Sequence, residues 1–216
     1  DVYKRQMPIS VSICGYALAA AIIFTYVGQS GEYAVAGYGV GTRIEQVVLL
    51  PILGINTAII SIIAQNYGAN NLVRIKETYF TAIKYAFIIM ITAGTLVFLS
   101  ASVITSFFSS DPEVIEYGKR YLKISAFVLP AYPVFFLSNG FFMALKKSEN
   151  AMISNFFRNV LNPIVVFYIA KYINASFETF FWLWVGINWF FSISYFIIII
   201  YYFKLKLNKP STVVHP

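Results

Sequence analysis

Histidine and cysteine are almost absent: His215 is the only histidine and Cys14 the only cysteine in 216 residues. A lone cysteine cannot close an intrachain disulfide and offers no metal-ligand spacing. Zinc hydrolysis, haem or iron–sulfur chemistry and nucleophilic catalysis through a Ser–His or Cys–His pair all lack their parts. Charge is scarce as well. Charged side chains make up 12% of the chain, against about 25% in ordinary soluble domains. Hydrophobic residues reach 59% and the mean hydropathy is +0.71. The polar surface needed to cover a soluble domain is missing, so the composition points to a polytopic membrane protein whose outer surface faces lipid.

Apolar runs of the length needed to cross a bilayer, about 20 residues, occur six times: Met7–Val27, Ala34–Tyr67, Tyr79–Phe107, Tyr121–Ala144, Ala151–Ile173 and Thr179–Phe203. The expected fold class is an all-α membrane protein of six transmembrane helices. The second run is long for one upright crossing, since 34 residues at about 1.5 Å each give about 51 Å; it tilts, bends at Pro51 or projects beyond the bilayer. Turn chemistry separates the runs. Gly28-Gln29-Ser30-Gly31-Glu32 joins the first pair, and Gly68-Ala69-Asn70-Asn71 follows the second, where Gly68 can end the helix in the left-handed conformation. Ser110-Asp111-Pro112-Glu113 is a helix start, with a capping acceptor, proline in the first turn and an acid near the positive dipole end; it opens a short interfacial turn leading into the fourth span.

The net charge of +7 sorts by side of the membrane. Lys4, Arg5, Arg74, Lys76, Lys84, Lys146, Lys147, Lys204, Lys206 and Lys209 fall on one side, Lys119, Arg120, Lys123 and Lys171 on the other. The positive-inside bias makes the first side, with both termini of this segment, cytoplasmic in an inner or plasma membrane. The basic tail is then a topology anchor, and no nucleic acid partner is expected. The chain does not begin with Met, and Asp1–Gln6 resembles a translated sequencing-adapter remnant. The expected division is a non-native remnant 1–6, a six-helix lobe 7–207 and a cytoplasmic tail 208–216.

Polar groups at membrane depth are costly and face a bundle interior or a water-filled cavity. The candidate substrate- or ion-binding side chains are Arg43, Glu45 and Gln46 in the second span, Gln65 near its end, Asn139 in the fourth, and Arg158 and Asn162 in the fifth. Arg43 and Glu45 are two residues apart and point to nearly opposite faces of a helix. Either this stretch lies near the outer interface and is simply wet, or one of the two faces a central cavity. Arg158 lies about 12 Å from its span's cytoplasmic end, sharing a face with Asn155 and Asn162, and either snorkels or faces a cavity. Pro51, Pro130, Pro133 and Pro163 fall inside spans; each removes a backbone donor and is a candidate helix bend. Gly37 and Gly41 form a small-xxx-small stripe suited to a close helix contact. No cofactor and no metal are expected.

The ordered set Ala36-Gly-Tyr-Gly-Val-Gly-Thr-Arg43-Ile, Pro51-Ile-Leu-Gly54 and Gln65-Asn-Tyr-Gly68-Ala69-Asn70, with Arg74 soon after, resembles the MATE (multidrug and toxic compound extrusion) transporter pattern. Asp111-Pro-Glu-Val-Ile-Glu-Tyr-Gly and Tyr121-Leu-Lys-Ile are similar to the segment leading into that family's tenth helix. The resemblance covers roughly residues 7 to 205. It implies twelve spanning helices in two lobes, of which this chain is one, the C-terminal lobe, paired with a missing N-terminal lobe. It also implies export of small cationic or amphipathic substrates in exchange for H⁺ or Na⁺. Some branches of the family carry an acid in the seventh helix, whereas Met7–Val27 holds none. Either Glu45 couples the ion, or the coupling acid belongs to the missing lobe.

Within the same superfamily, a flippase for lipid-linked oligosaccharide or peptidoglycan precursor is the nearest rival and would favour more basic residues in the cavity to hold a pyrophosphate. A membrane-embedded enzyme would need a buried nucleophile and base, and no span contains histidine. A purely structural bundle would show no ligand-dependent behaviour. The half-transporter expectation is checked by sequencing upstream: about six further spans should precede Met7, and an authentic start codon within a few residues of it would sink the idea.

Overall fold

The computed structural model describes residue 15 and residues 17–207. The remnant 1–6, most of the first half of the first span with Cys14, and the tail 208–216 with Lys209 and His215 lie outside the described residues. The described chain is helical throughout. The helices are α1 (Ala17–Gly28), α2 (Glu32–Gly68), α3 (Leu72–Ser106), α4 (Pro112–Ser125), α5 (Tyr132–Ala144), α6 (Ser148–Phe156), α7 (Asn162–Tyr172) and α8 (Phe177–Leu207). A 3₁₀ turn, Leu129–Ala131, interrupts the fourth span between α4 and α5, and a π-helical turn, Phe157–Leu161, joins α6 to α7 in the fifth. The six expected spans thus correspond to α1, α2, α3, α4–α5, α6–α7 and α8. Among the described residues, four are able to cross a membrane by length and apolarity alone: those of α2, α3, α4–α5 and α8.

The fourth span is the centre of the bundle. In its most apolar window 78% of residues are buried, against 17%, 22% and 28% in the other three long spans. Those three turn most of their apolar side chains outward, as lipid-facing helices do. α2 approaches α4 along the glycine stripe. A Cβ on Gly37 would stand 2.7 Å from the Gly118 backbone nitrogen and 2.8 Å from the Val114 carbonyl, and one on Gly41 would run into the Tyr121 ring. Backbone atoms cannot yield as side-chain tips do, so only glycine permits this approach.

The break in the fourth span follows from proline. Pro130 has no N–H for the carbonyl of Ala126, and the chain tightens into three-residue turns, with Phe127, Val128 and Ala131 donating to Ile124, Ser125 and Val128. α8 repairs the damage: Trp189 Nε1 donates to the freed Phe127 carbonyl at 2.8 Å and Ser192 Oγ to the Ala131 carbonyl at 3.1 Å. Pro133 stands in the first turn of α5 and Pro163 in the first turn of α7, where the missing donor costs little. Pro51 differs, because α2 runs through it as one α-helix with the ring on an exposed face.

The loops fall into two groups. Tyr26 Oη donates to the Ala175 carbonyl at 2.6 Å, Gly37 abuts Gly118, and Arg120 pairs with Glu178 at 3.4 Å, so the 28–31, 107–111 and 173–176 turns share one end of the bundle. Asp111 caps α4 by accepting from Glu113 and Val114, with Pro112 in the first turn, and the segment is a full helix running into the span rather than a short interfacial turn. At the other end, the left-handed residue after α2 is Asn70 (φ 56°), not Gly68, which ends the helix; asparagine tolerates this conformation, and the next residue, Asn71, caps α3.

Substituting Gly37 by leucine should force α2 from α4 and lower the melting temperature of the detergent-solubilised protein, at a cost of about 1–3 kcal/mol. Gly39→Ala, at a position with open space beside it, should be tolerated. Equal melting of the two variants would refute the close contact.

Candidate functional site

Glu45 projects from α2 into a cavity of about 200 Å³ walled by α1, α2, α4, α5, the π turn and α8. Its carboxylate accepts two hydrogen bonds from tyrosines. Tyr121 Oη on α4 donates to Oε2, and Tyr132 Oη on α5 donates to Oε1 at 2.5 Å. The two donors sit on either side of the proline break, so one carboxylate ties both halves of the fourth span to α2. Both tyrosines are at least nine-tenths buried and Glu45 is half-buried. Each carboxylate oxygen thus receives one O–H. No lysine or arginine pairs with Glu45 among the described residues.

Arg158 enters the same cavity from the π turn. It is buried, and its guanidinium lies over the rings of Phe135, Tyr132 and Phe136 at 4.3, 4.9 and 5.4 Å from their centroids. Its Nε donates to Asn188 Oδ1 on α8 at 3.3 Å. Tyr132 therefore serves both charges, its hydroxyl bonding Glu45 and its ring underlying Arg158. The remaining walls are largely aromatic, with Tyr38, Phe181 and Trp184 closing the side towards α8.

The other sequence candidates fall in different places. Gln46 lines the cavity with Glu45. Arg43 lies on the exposed opposite face of α2, as the two-residue spacing requires, and Gln65 is exposed near the helix end with its backbone carbonyl accepting from Ala69. Asn139 is buried away from the cavity in a cluster with Ser154 (2.8 Å), Tyr195 (3.4 Å) and Asn155 (3.5 Å). Asn155 accordingly turns to Asn139 rather than sharing the surroundings of Arg158. Asn162 is fully buried with neither amide atom bonded, and Asn159, which does line the cavity, has an unpartnered Nδ2. A larger crevice of about 420 Å³ between α5, α6 and α8 holds no charged side chain.

Four contributors escaped the sequence reading: Tyr121, Tyr132, Asn159 and Asn188. For the tyrosines a signal existed. Eleven residues at about 100° each come within about 20° of three full turns, which puts both rings on one face. Asn159 carried no such signal, because its position depends on the π turn.

The arrangement is that of a half-open, aromatic-walled cavity with one carboxylate and one guanidinium held apart. Comparison with known proteins fits it. The chain is 25% identical over 153 residues to the multidrug export protein MepA of Staphylococcus haemolyticus, covering 71% of this chain and 34% of that protein. It is 25% identical over 158 residues to an FAD transporter of Shewanella oneidensis, covering 73% and 35%. Its fold matches a MOP superfamily transporter from Pyrococcus furiosus with a TM-score of 0.88 at 22% identity, over 94% of this chain and 46% of that one. The chain spans about a third of the length of these curated relatives and under half of the solved transporter. The sequence model of the MatE family matches residues 8–168. The chain belongs to that family, the multidrug and toxic compound extrusion transporters of the membrane.

Proposed function

We propose that residues 7–207 form one lobe, the C-terminal one, of a two-lobe exporter of small cationic or amphipathic compounds, exchanged for H⁺ or Na⁺. Its partner is an N-terminal lobe of the same protein. Residues 1–6 are foreign to it and 208–216 form a cytoplasmic tail, with both ends of the segment on the cytoplasmic side by the distribution of basic residues. The relatives named above handle unlike cargo, a drug set in one case and FAD in another, so the substrate class here is argued from the cavity.

The observation that carries the proposal is the double tyrosine clasp on Glu45. Both carboxylate oxygens are engaged, so an arriving proton or Na⁺ competes with a tyrosine hydroxyl for the oxygen it takes. Displacing Tyr121 or Tyr132 removes the polar link between α2 and one half of the broken span. Ion binding is thereby converted into freedom of movement at an existing break, which is what a coupled carrier requires. The aromatic walls and the carboxylate suit an organic cation. A pyrophosphate-bearing lipid would need several basic groups, and among the described residues Arg158 is the only one lining the cavity.

The test is efflux of radiolabelled benzyltrimethylammonium, a small aromatic cation, from proteoliposomes holding the full-length protein, driven by a pH or a Na⁺ gradient. Glu45→Gln keeps the shape but not the charge and should cut ion-driven efflux about tenfold or more, a loss of at least ~1.4 kcal/mol of coupling. Glu45→Asp should retain part of it. Efflux with unchanged rate and unchanged ion dependence in Glu45→Gln would make Glu45 a structural residue.

A further inference from the structure

Two opposite charges line one small cavity without forming an ion pair. In a low-dielectric interior an unpaired carboxylate and an unpaired guanidinium attract strongly and are expected to collapse together. Here they are held apart by Tyr132, whose hydroxyl is committed to Glu45 and whose ring face supports Arg158. Of the five guanidinium N–H groups, the one on Nε serves Asn188. The other four have no protein acceptor among the described residues. Beside them in the same cavity wall, the buried Asn159 Nδ2 also lacks a partner. One end of the cavity is therefore a set of unused donors, and the other is a carboxylate ringed by aromatic groups.

We infer that the cavity binds a zwitterionic ligand, its positive nitrogen at Glu45 among the aromatic rings and its carboxylate at Arg158 and Asn159. This rests on the reading of the Glu45 cavity as the transport site, and assigns Arg158 and Asn159 the role of recognising the acidic end. A planar carboxylate matches the guanidinium fork and the adjacent amide. A simple cation leaves the donors unpaired, and a simple anion meets the Glu45 charge. Burying an unused donor costs about 1–3 kcal/mol, so a ligand that satisfies it gains accordingly. The volume, about 200 Å³, accepts an amino-acid-sized head rather than a large planar dye.

The test compares N-benzyl-N,N-dimethylglycine, which carries a fixed positive nitrogen and a carboxylate, with its methyl ester, which keeps only the cation. Affinities are measured by titration calorimetry on the purified full-length protein. The wild type should prefer the zwitterion by about tenfold or more. Arg158→Gln should abolish the preference while still binding the ester. Asn159→Asp, which sets a negative charge at the acidic end and leaves the stacked arginine in place, should reverse it, and keeps the question answerable if Arg158→Gln does not fold. Equal wild-type affinities, no zwitterion binding, or a preference that survives in the folded variants overturns the inference. Glu45→Gln should weaken both ligands; unchanged affinities there would instead overturn the transport-site reading.

Discussion

One carboxylate claimed by two tyrosines organises this lobe. Tyr121 and Tyr132 belong to separate helices because Pro130 breaks the fourth span, and Glu45 rejoins them through side chains where the backbone cannot. That bridge needs α2 close to the central span, which the glycines at 37 and 41 permit by bringing it onto α4. It also needs the break itself to be stable, which α8 provides through Trp189 and Ser192. Two neighbours of the central span thus make three contributions, α2 proximity and charge and α8 repair. Loss of any one would leave polar groups unmatched in an environment with no water to replace them.

The same logic bears on the unpaired groups in the cavity wall. Packing around it is aromatic and dense: Tyr38 meets Tyr121 edge-on and stacks on Phe181, and Tyr26 stacks on Phe180. Rings carry much apolar area with few degrees of freedom, so they form rigid walls that a flexible aliphatic lining would not. A rigid wall keeps Glu45 and Arg158 from reaching each other. Idle polar atoms in such a place destabilise the resting lobe, and proteins retain such costs where a ligand or a conformational change later relieves them.

Much of the scaffold was legible in the residues. The spans followed from apolar length, the start of α4 from Asp111 and Pro112, and the glycine stripe from its spacing, since each depends on local chemistry. The proline positions pointed to interruptions at 130, 133 and 163, although nothing distinguished them from Pro51, whose helix continues. What stayed hidden depended on contacts distant in sequence. That Glu45 rather than Arg43 turns inward depends on which side of α2 the glycines dock. The partners of Glu45 lie 76 and 87 residues away. The environment of Arg158 could not be read from α-helical spacing, because the helix around it is not α.

That local departure has a consequence for the register of the helix as well as for its chemistry. The π turn at Phe157–Leu161 closes with Asn162 donating five residues back to Phe157, one more than α geometry uses, so it amounts to a single surplus residue absorbed without changing the helix's course. Neighbouring positions 158 and 159 both reach the cavity across this widened turn. Deleting one residue here would restore an ordinary α-helical turn. It would also give up the register that turns both 158 and 159 towards the cavity.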